Sequence, residues 1–447
     1  MSLPVLKFCK HPLLILLILS AYLFCSSSCN SSTGTKKIIA TKDSIVIINL
    51  PQPVKISSAE SAKIKNACQA WYDSVLSLKG FNGGMIVAKD GNIIFEKYSG
   101  TGHLPGNDVI TDRTPMHIAS ISKTFTAMAV LKLWQDGKLN IDDDFSKYFP
   151  AFNYPGLTIR CLLNHRSGLP NYNYFMETLG WDKTRFVKNE DVLDYLITRK
   201  AELPEVLPAG THFSYCNTNY ALLALLIEKI SGLKYADYLI RTFILPLQMK
   251  NTYVFSLADT LKAMPSYNWR GALEPFNFLD QVYGDKNIYT TPRDLLIWDR
   301  ALTSGLIFKQ ETLDQAYAPY SNEKPGMRNY GLGWRMNIFP DGNKIIYHNG
   351  WWHGSNAAFI RMLKEKATII LIGNKFTRAV YHAKVLTSIF GDYYLPVEEE
   401  ESMSRDSVKL SAAILNTDTL QKRNSKKVNK VLKDSAAMSH KKSAPKQ

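Results

Sequence analysis

Two stretches of the chain are apolar nearly all round a helical wheel. From His117 to Gly137 (HIASISKTFTAMAVLKLWQDG) and from Asn219 to Gly232 (NYALLALLIEKISG) the pattern leaves little room for a polar face. Such helices belong in the middle of a large domain, with the closing glycines past their ends. A different rhythm runs from Ser58 to Leu78. There Ile64, Cys68, Trp71, Val75 and Leu78 alternate spacings of four and three, an amphipathic helix that Gly80 stops. Thr291-Pro292-Arg293-Asp294 opens another helix with a capping threonine, a proline in the first turn and an acid three residues on; it closes near Gly305. A last amphipathic helix is predicted from about Thr377 to Phe390. Strand patterns stand at the two ends of this helical region. GGMIVAKDGNIIFEKYSG reads as a hairpin about Asp90-Gly91, and YGLGWRMNIF, KIIYHNG, NAAFIRMLK and KATIILIGN follow later, the last two meeting at a turn around Glu365. Strands, a large and mostly helical insertion, then strands again predict an α/β protein whose antiparallel sheet is flanked by helices. There is no internal repeat.

The flanks differ from this body. Lys7, Lys10 and His11 precede an apolar run from Leu13 to Phe24 and then SSSCNSSTG, so residues 1–28 read as a secretory signal too short to span a bilayer comfortably. Cys29, among small residues, is a candidate lipid acceptor that would tie an exported protein to a membrane. Residues 29–57 read as a polar tether. Its one apolar run, Ile45 to Leu50, is expected to lay a strand on the body before Pro51 and Pro53. The body is placed at 58–395. Residues 396–447 are polar, charged and poor in aromatics, the composition of a disordered tail, with VKLSAAIL (408–415) as a transient helix.

Composition adds two exclusions. With 45% apolar residues and 11% aromatics, the 447-residue chain can bury a sizeable core. Its net charge of +15 suggests nucleic acid until it is located. Residues 421–447 carry nine lysines and arginines against Asp434 alone, more than half of the excess. The body is only mildly basic and shows no basic face interleaved with aromatics, so no nucleic-acid partner is expected, and the tail is assigned to acidic envelope surfaces. After loss of the signal only Cys29, Cys68, Cys161 and Cys216 remain, which excludes a disulfide scaffold. His348 and His353 have no acidic or cysteine cluster beside them, so neither a metal nor any other cofactor is expected.

Candidate chemistry lies where polar groups interrupt the apolar pattern. Ser120 and Lys123 share one face of the first turn of the buried helix, above its unpaired N–H groups and positive end. An amine there can take the serine's proton, as an activated nucleophile requires. Spacing alone does not single them out, since Ser231–Lys234, Ser321–Lys324 and Ser439–Lys442 share it. Only Ser120 opens a buried helix. Just before the second buried helix, Tyr215-Cys216-Asn217 in extended form puts Tyr215 and Asn217 on one face and Cys216 on the other. Tyrosine can pass a proton; asparagine can hold a substrate amide, fix the amine of Lys123 or cap the helix. In HNGWWHGSN, Gly350 permits close approach to the backbone, and the N–H groups of Trp351 and Ser120 are candidates for an oxyanion hole.

Together Ser120-x-x-Lys123, Tyr215-x-Asn217 and His348-x-Gly350, in that order and widely spaced, resemble the serine β-lactamase-related family of class C β-lactamases, D-alanyl-D-alanine carboxypeptidases and related esterases. GGMIVAKDGNIIFEKYSG, TIRCLLNHRSGLP, the run from Pro208 to Gly232 and YGLGW at Tyr330 resemble it too, over roughly Ser58 to Asp392. The resemblance implies a helix-flanked antiparallel sheet joined to an all-helical subdomain, with the active site between them. It implies Ser120 as nucleophile, Lys123 as activator, Tyr215 as proton carrier and His348 where many members carry lysine. Asn217, Asn349 and Gly350 would contact substrate, and Ser120 and Trp351 would supply the oxyanion hole. The function implied is an exported serine hydrolase that cleaves an amide or ester through an acyl-Ser120 intermediate, on D-Ala peptide, ester or β-lactam substrates. The alternative is a penicillin-binding-type sensor with slow or no turnover. Trp351 and Trp352 are both expected to crowd the pocket.

Overall fold

The computed structural model describes residues 45–323 and 325–393; the signal segment, Cys29, the 408–415 helix and the basic tail lie outside them. In chain order, α1 (Ser58–Trp71) is followed by β1 (Gly83–Lys89), β2 (Asn92–Ser99) and β3 (Met116–His117). The helical part holds α2 (Ser122–Gln135), α3 (Ile159–Leu163), α4 (Tyr172–Thr178), α5 (Asn189–Thr198), α6 (Asn217–Ser231) and α7 (Tyr235–Leu239). Short strands β4 (Tyr253–Val254), β5 (Ser266–Tyr267), β6 (Leu273–Glu274) and β7 (Ile288–Thr290) lead to α8 (Pro292–Thr303) and α9 (Gln310–Ala316). The chain then lays down β8 (Arg328–Tyr330), β9 (Arg335–Ile338), β10 (Lys344–Trp352), β11 (Ser355–Met362) and β12 (Ala367–Gly373), and ends in a 3-10 helix, Arg378–Ile389.

Seven strands form one antiparallel sheet in the order β2-β1-β12-β11-β10-β9-β8. The β1–β2 turn places both Asp90 (φ 51°) and Gly91 (φ 79°) in the left-handed region, the requirement that makes Asp-Gly a hairpin signal. Alternate residues then build two cores. Met85, Val87, Ile360 and Leu371 face Ile64 and Cys68 of the first helix, Tyr72 just past its end, and Val380 and Leu386 of the last. Ile86, Phe359, Ile370 and Ile372 face the larger core, with Met128 of α2, Leu223 of α6 and Trp298 of α8.

Several expected boundaries move. The helix predicted from His117 to Gly137 is interrupted at its start: His117 is in β3, paired with Tyr289, and Ala119–Ile121 forms a 3-10 turn before α2 begins at Ser122. Apolar periodicity cannot see this, because what diverts the chain is pairing with a strand far along the sequence. The expected strand at Ile45–Leu50 does not form. Ile48 gives a single backbone bond to Pro246 (2.8 Å), and Pro51 and Val54 accept side-chain bonds from Arg300 and Asn92 (2.5 Å each). Thr291 caps α8 as predicted (3.1 Å to the Asp294 N–H), but the Asp294 carboxylate turns away to Asn251 and Thr252. YGLGW is a turn between β8 and β9 rather than continuous strand, and the insertion carries the short sheets β3-β7-β4 and β5-β6 besides its helices. The final helix is 3-10 in kind.

Candidate active site

Ser120 stands at the junction of strand, turn and helix. Ala119 before it is held at φ 47°, a left-handed conformation costly for a residue with a Cβ, and the turn runs directly into α2. Beside it passes β10. β9 pairs with β10 only from Lys344 to Tyr347, so the edge of β10 beyond Tyr347 is free of strand pairing there. The turn of Ser120 packs against that stretch so closely that a Cβ on Gly350 would lie 2.1 Å from the Ile118 carbonyl oxygen. What approaches Gly350 is therefore the backbone leading to Ser120.

Lys123 is fully buried, and its Nζ lies 3.1 Å from Ser120 Oγ and 2.8 Å from the carbonyl oxygen of Asp285. The ring of Tyr215 is 5.1 Å from the same Nζ and that of Tyr220 5.6 Å. Cys216 is extended and points inward, its thiol toward Leu169 and Pro170 carbonyls, so Tyr215 and Asn217 flank it as the alternation predicts. Asn217 opens α6 without capping it, donates to Asn173 at 3.2 Å and leaves Oδ1 without a partner; the Tyr215 hydroxyl also has none among the described residues.

His348 is fully buried, with its ring centroid 6.3 Å from that of Tyr215. Nδ1 donates to the Asn349 carbonyl at 2.7 Å, so Nε2 is the acceptor of the Tyr330 hydroxyl at 3.3 Å. Burial, then the cations Arg335 and Lys123, push its pKa well below the usual histidine value. The third box thus carries a neutral ring. The fixed cation nearby is Arg335, whose guanidinium lies 4.9 Å from the Tyr215 ring. Asn349 is buried one residue on, on the opposite face of β10. The indoles part in the same way. Trp352 lies on the His348 and Gly350 side and donates to Asp280 at 2.6 Å. Trp351 points to the other face, bonds the His353 carbonyl and packs on Phe376, so only one of the two walls the pocket.

Other residues complete the site that the sequence did not single out. His165 is fully buried, accepts the Cys216 N–H at 3.1 Å through Nδ1, and lies 4.4 Å from the Tyr215 ring, so it holds the tyrosine's segment in place. Asp285 and Lys286 are buried against Tyr172, and Asp280 is buried against His353. Burial opposes ionisation of Asp280, yet the His353 hydrogen bond and charge hold its pKa below the ordinary value. The only hint in sequence was a run of charges, Gly284-Asp285-Lys286-Asn287, inside an apolar stretch. Among the described residues no group of three or more ligand side chains is arranged for a metal, and Cys68, Cys161 and Cys216 are free thiols.

The geometry has parallels. A model of the beta-lactamase family matches residues 79–390. The chain belongs to the beta-lactamase family. That family of serine hydrolases includes a relative in Bacillus subtilis, penicillin-binding protein 4*, 28% identical over 347 residues that cover 73% of this chain and 76% of that one. Protein flp of Staphylococcus aureus is 26% identical over 305 residues, 65% of this chain but 59% of its own length. Among solved structures, a penicillin-binding protein from Bacillus halodurans superposes with a TM-score of 0.63 at 22% identity, covering 71% of this chain and 98% of that one. A D-amino acid amidase from Ochrobactrum anthropi does so with a TM-score of 0.60 at 23% identity, covering 73% and 97%. These likenesses establish the shared beta-lactamase fold.

Proposed function

We propose that the chain is an exported serine hydrolase that cleaves small amides or esters through an acyl enzyme on Ser120, with D-aminoacyl amides and peptides as the leading substrate class. The observation that carries this reading is the fully buried Lys123 amine 3.1 Å from Ser120 Oγ at the mouth of α2. Ser120 Oγ attacks the carbonyl carbon while Lys123 takes its proton. The oxyanion is received by the N–H groups of Ser120 and Trp351, each the next residue along from the contact of Gly350 with Ile118 and Ala119. Tyr215, whose hydroxyl has no partner among the described residues, returns a proton to the leaving nitrogen or oxygen as its bond to carbon breaks. Asn217, with Oδ1 unpartnered among the described residues, accepts from the substrate amide, and Gly350 lines the strand beside it; the Asn349 side chain, expected to join them, lies on the opposite face of β10 and does not. Water then cleaves the ester of Ser120. The D-amino acid amidase and the penicillin-binding relatives support the substrate class.

Intact-mass analysis and turnover on a panel of D-amino acid amide, D-Ala-D-Ala peptide, short ester, penicillin and cephalosporin tests this. Turnover of an amide, peptide or ester, lost in Ser120→Ala with an unchanged melting temperature, is expected. A lasting adduct without turnover would instead make the protein a sensor, and an active Ser120→Ala would remove the mechanism.

The leader and Cys29 motivate export with a lipid anchor, and the basic tail motivates attachment to acidic envelope surfaces. Fractionation of the full chain, Cys29→Ala and a form ending at Pro396 tests both. Salt-resistant membrane association should need Cys29, and salt-sensitive association should need the tail; soluble recovery of the full chain would sink both.

A further inference from the structure

The loop that carries the carbonyl facing Lys123 contains an ion pair with no business in a core. Asp285 and Lys286 are each almost fully buried (1% and 2% exposed). Lys286 Nζ hydrogen-bonds the Tyr172 hydroxyl and stands 3.5 Å from Asp285 Oδ2, and the Tyr172 hydroxyl donates to the same Oδ2 at 2.8 Å. The chain of donors therefore runs from Lys286 through Tyr172 to Asp285. Lys286 also lies over the Trp352 ring, 4.6 Å from its centroid. As a structural device the pair is poor. Asp285 Oδ1 has no partner among the described residues, and buried ion pairs are commonly matched in stability by well-packed apolar residues. The loop is already fixed without it. Gly284 presses on the Tyr220 carbonyl and its own carbonyl accepts from Thr126; the Asn287 N–H bonds His117, and the Ile288 N–H bonds Ser122.

We propose that Asp285, Lys286 and Tyr172 form a positioning unit for Lys123, which sets the charge around its amine and the aim of the Asp285 carbonyl that holds it. The inference rests on the Ser120–Lys123 reading above. Asp285 and Lys286 place opposite charges on the loop whose carbonyl holds the Lys123 amine at 2.8 Å. Burial lowers the pKa of Lys286, while Asp285 and Asp280 raise it and Lys123 lowers it further, so the two amines interact through this loop. Removing either charge leaves the other uncompensated in a medium where screening is weak. The other ionisable groups facing Lys123 are Tyr215 and Tyr220 across their rings, and Cys216, His165 and His348, each of which feels its charge. Arg335 acts on the same two histidines. None of these is altered by changes at 285 or 286.

The test is kcat/KM against pH on one neutral ester for wild type, Asp285→Asn, Lys286→Met and Ser120→Ala. Lys286→Met, which strands an anion, should move the rising limb to higher pH by about one unit and lower kcat at pH 7 about tenfold, with KM little changed. Asp285→Asn, which strands a cation, should move the limb by about as much to lower pH. Shifts of opposite sign are the signature, because a merely structural loss would not change sign with the charge removed. If Lys286→Met fails to fold, Lys286→Gln, which still donates to Tyr172, replaces it with the same expected direction. Superimposable limbs, or limbs moved the same way, with Ser120→Ala inactive would overturn this inference and leave the mechanism standing. An active Ser120→Ala would instead remove the mechanism on which it rests.

Discussion

Burial decides what a side chain can be at position 348. A buried lysine there would need an acidic partner. His348 has no acidic partner among the described residues: it donates to a carbonyl, accepts from Tyr330, and sits where Arg335 and Lys123 both repel a charge. His348→Lys should therefore destabilise the fold by about 3 kcal/mol or more, since it buries an unpaired cation near two others. His348→Asn, neutral and shorter, should cost about 1–2 kcal/mol through the loss of the Tyr330 hydrogen bond and leave the rising limb of the pH–rate profile where it is. Urea unfolding of both variants checks this, and a lysine variant as stable as wild type would show that the site accommodates a fixed charge. The boxes around Ser120, Tyr215 and His348 could be read from sequence because each sets polar groups into an apolar pattern. Asp285 and Lys286 could not. Next to Gly284 a charged pair looks like a solvated loop, and only Tyr172 and Trp352, distant in sequence, reveal that it is buried.

Helices and long strands announced themselves through periodicity, but the junctions that build the site did not. β3 has two residues and β7 three, too few for any pattern, yet their pairing ends the helix expected at His117 and turns Ser120 toward β10. β10 likewise runs past Gly350 to Trp352, which sorts its two tryptophans onto opposite faces. The contact between the turn and this strand makes Gly350 a sharp test. In Gly350→Ala the methyl group would fall 2.1 Å from the Ile118 oxygen and 3.3 Å from the Ala119 Cβ. Strand and turn must separate, which moves the Ser120 and Trp351 N–H groups apart. A drop in kcat/KM of about 100-fold is expected, with a loss of about 1–3 kcal/mol in stability. Gly342→Ala is the control: its φ of 82° brings strain but nothing lies within 4 Å, so stability should fall slightly and activity stay. Equal activity losses in the two variants would mean that the contact at Gly350 does not align the site.

At the scale of the molecule, the sheet divides two apolar cores, and the charged and titratable groups of the site are pressed into the larger one. Alternation along β1, β11 and β12 foretold that both faces are covered; what it could not foretell is how many histidines are buried with them. His117, His165 and His348 are all within the core near Ser120, and burial lowers the pKa of each, that of His117 to about 3. The sign follows from proton counting. Below about 6.5 the unfolded chain protonates these rings while the folded chain refuses the proton, so their contribution is complete above that pH and is lost as pH falls toward the folded value. For His117 alone the loss between pH 7 and pH 5 is about 2 kcal/mol, and the other two act in the same direction. Carboxylates with lowered pKa, such as Asp280 and Glu96, also contribute stability that is lost on acidification, but only below about pH 5, so they leave this window to the histidines. Urea unfolding at pH 7 and pH 5 should therefore show a marked loss for the wild type. His117→Gln retains an acceptor for the Asn287 N–H, 3.2 Å from Nε2, but has no proton to gain. It should lose about 2 kcal/mol less than wild type over the same interval. An unchanged difference between the two pH values in that variant would mean that His117 is protonated in the folded protein or reached by water, and that the region beside Ser120 is less sealed than its packing shows.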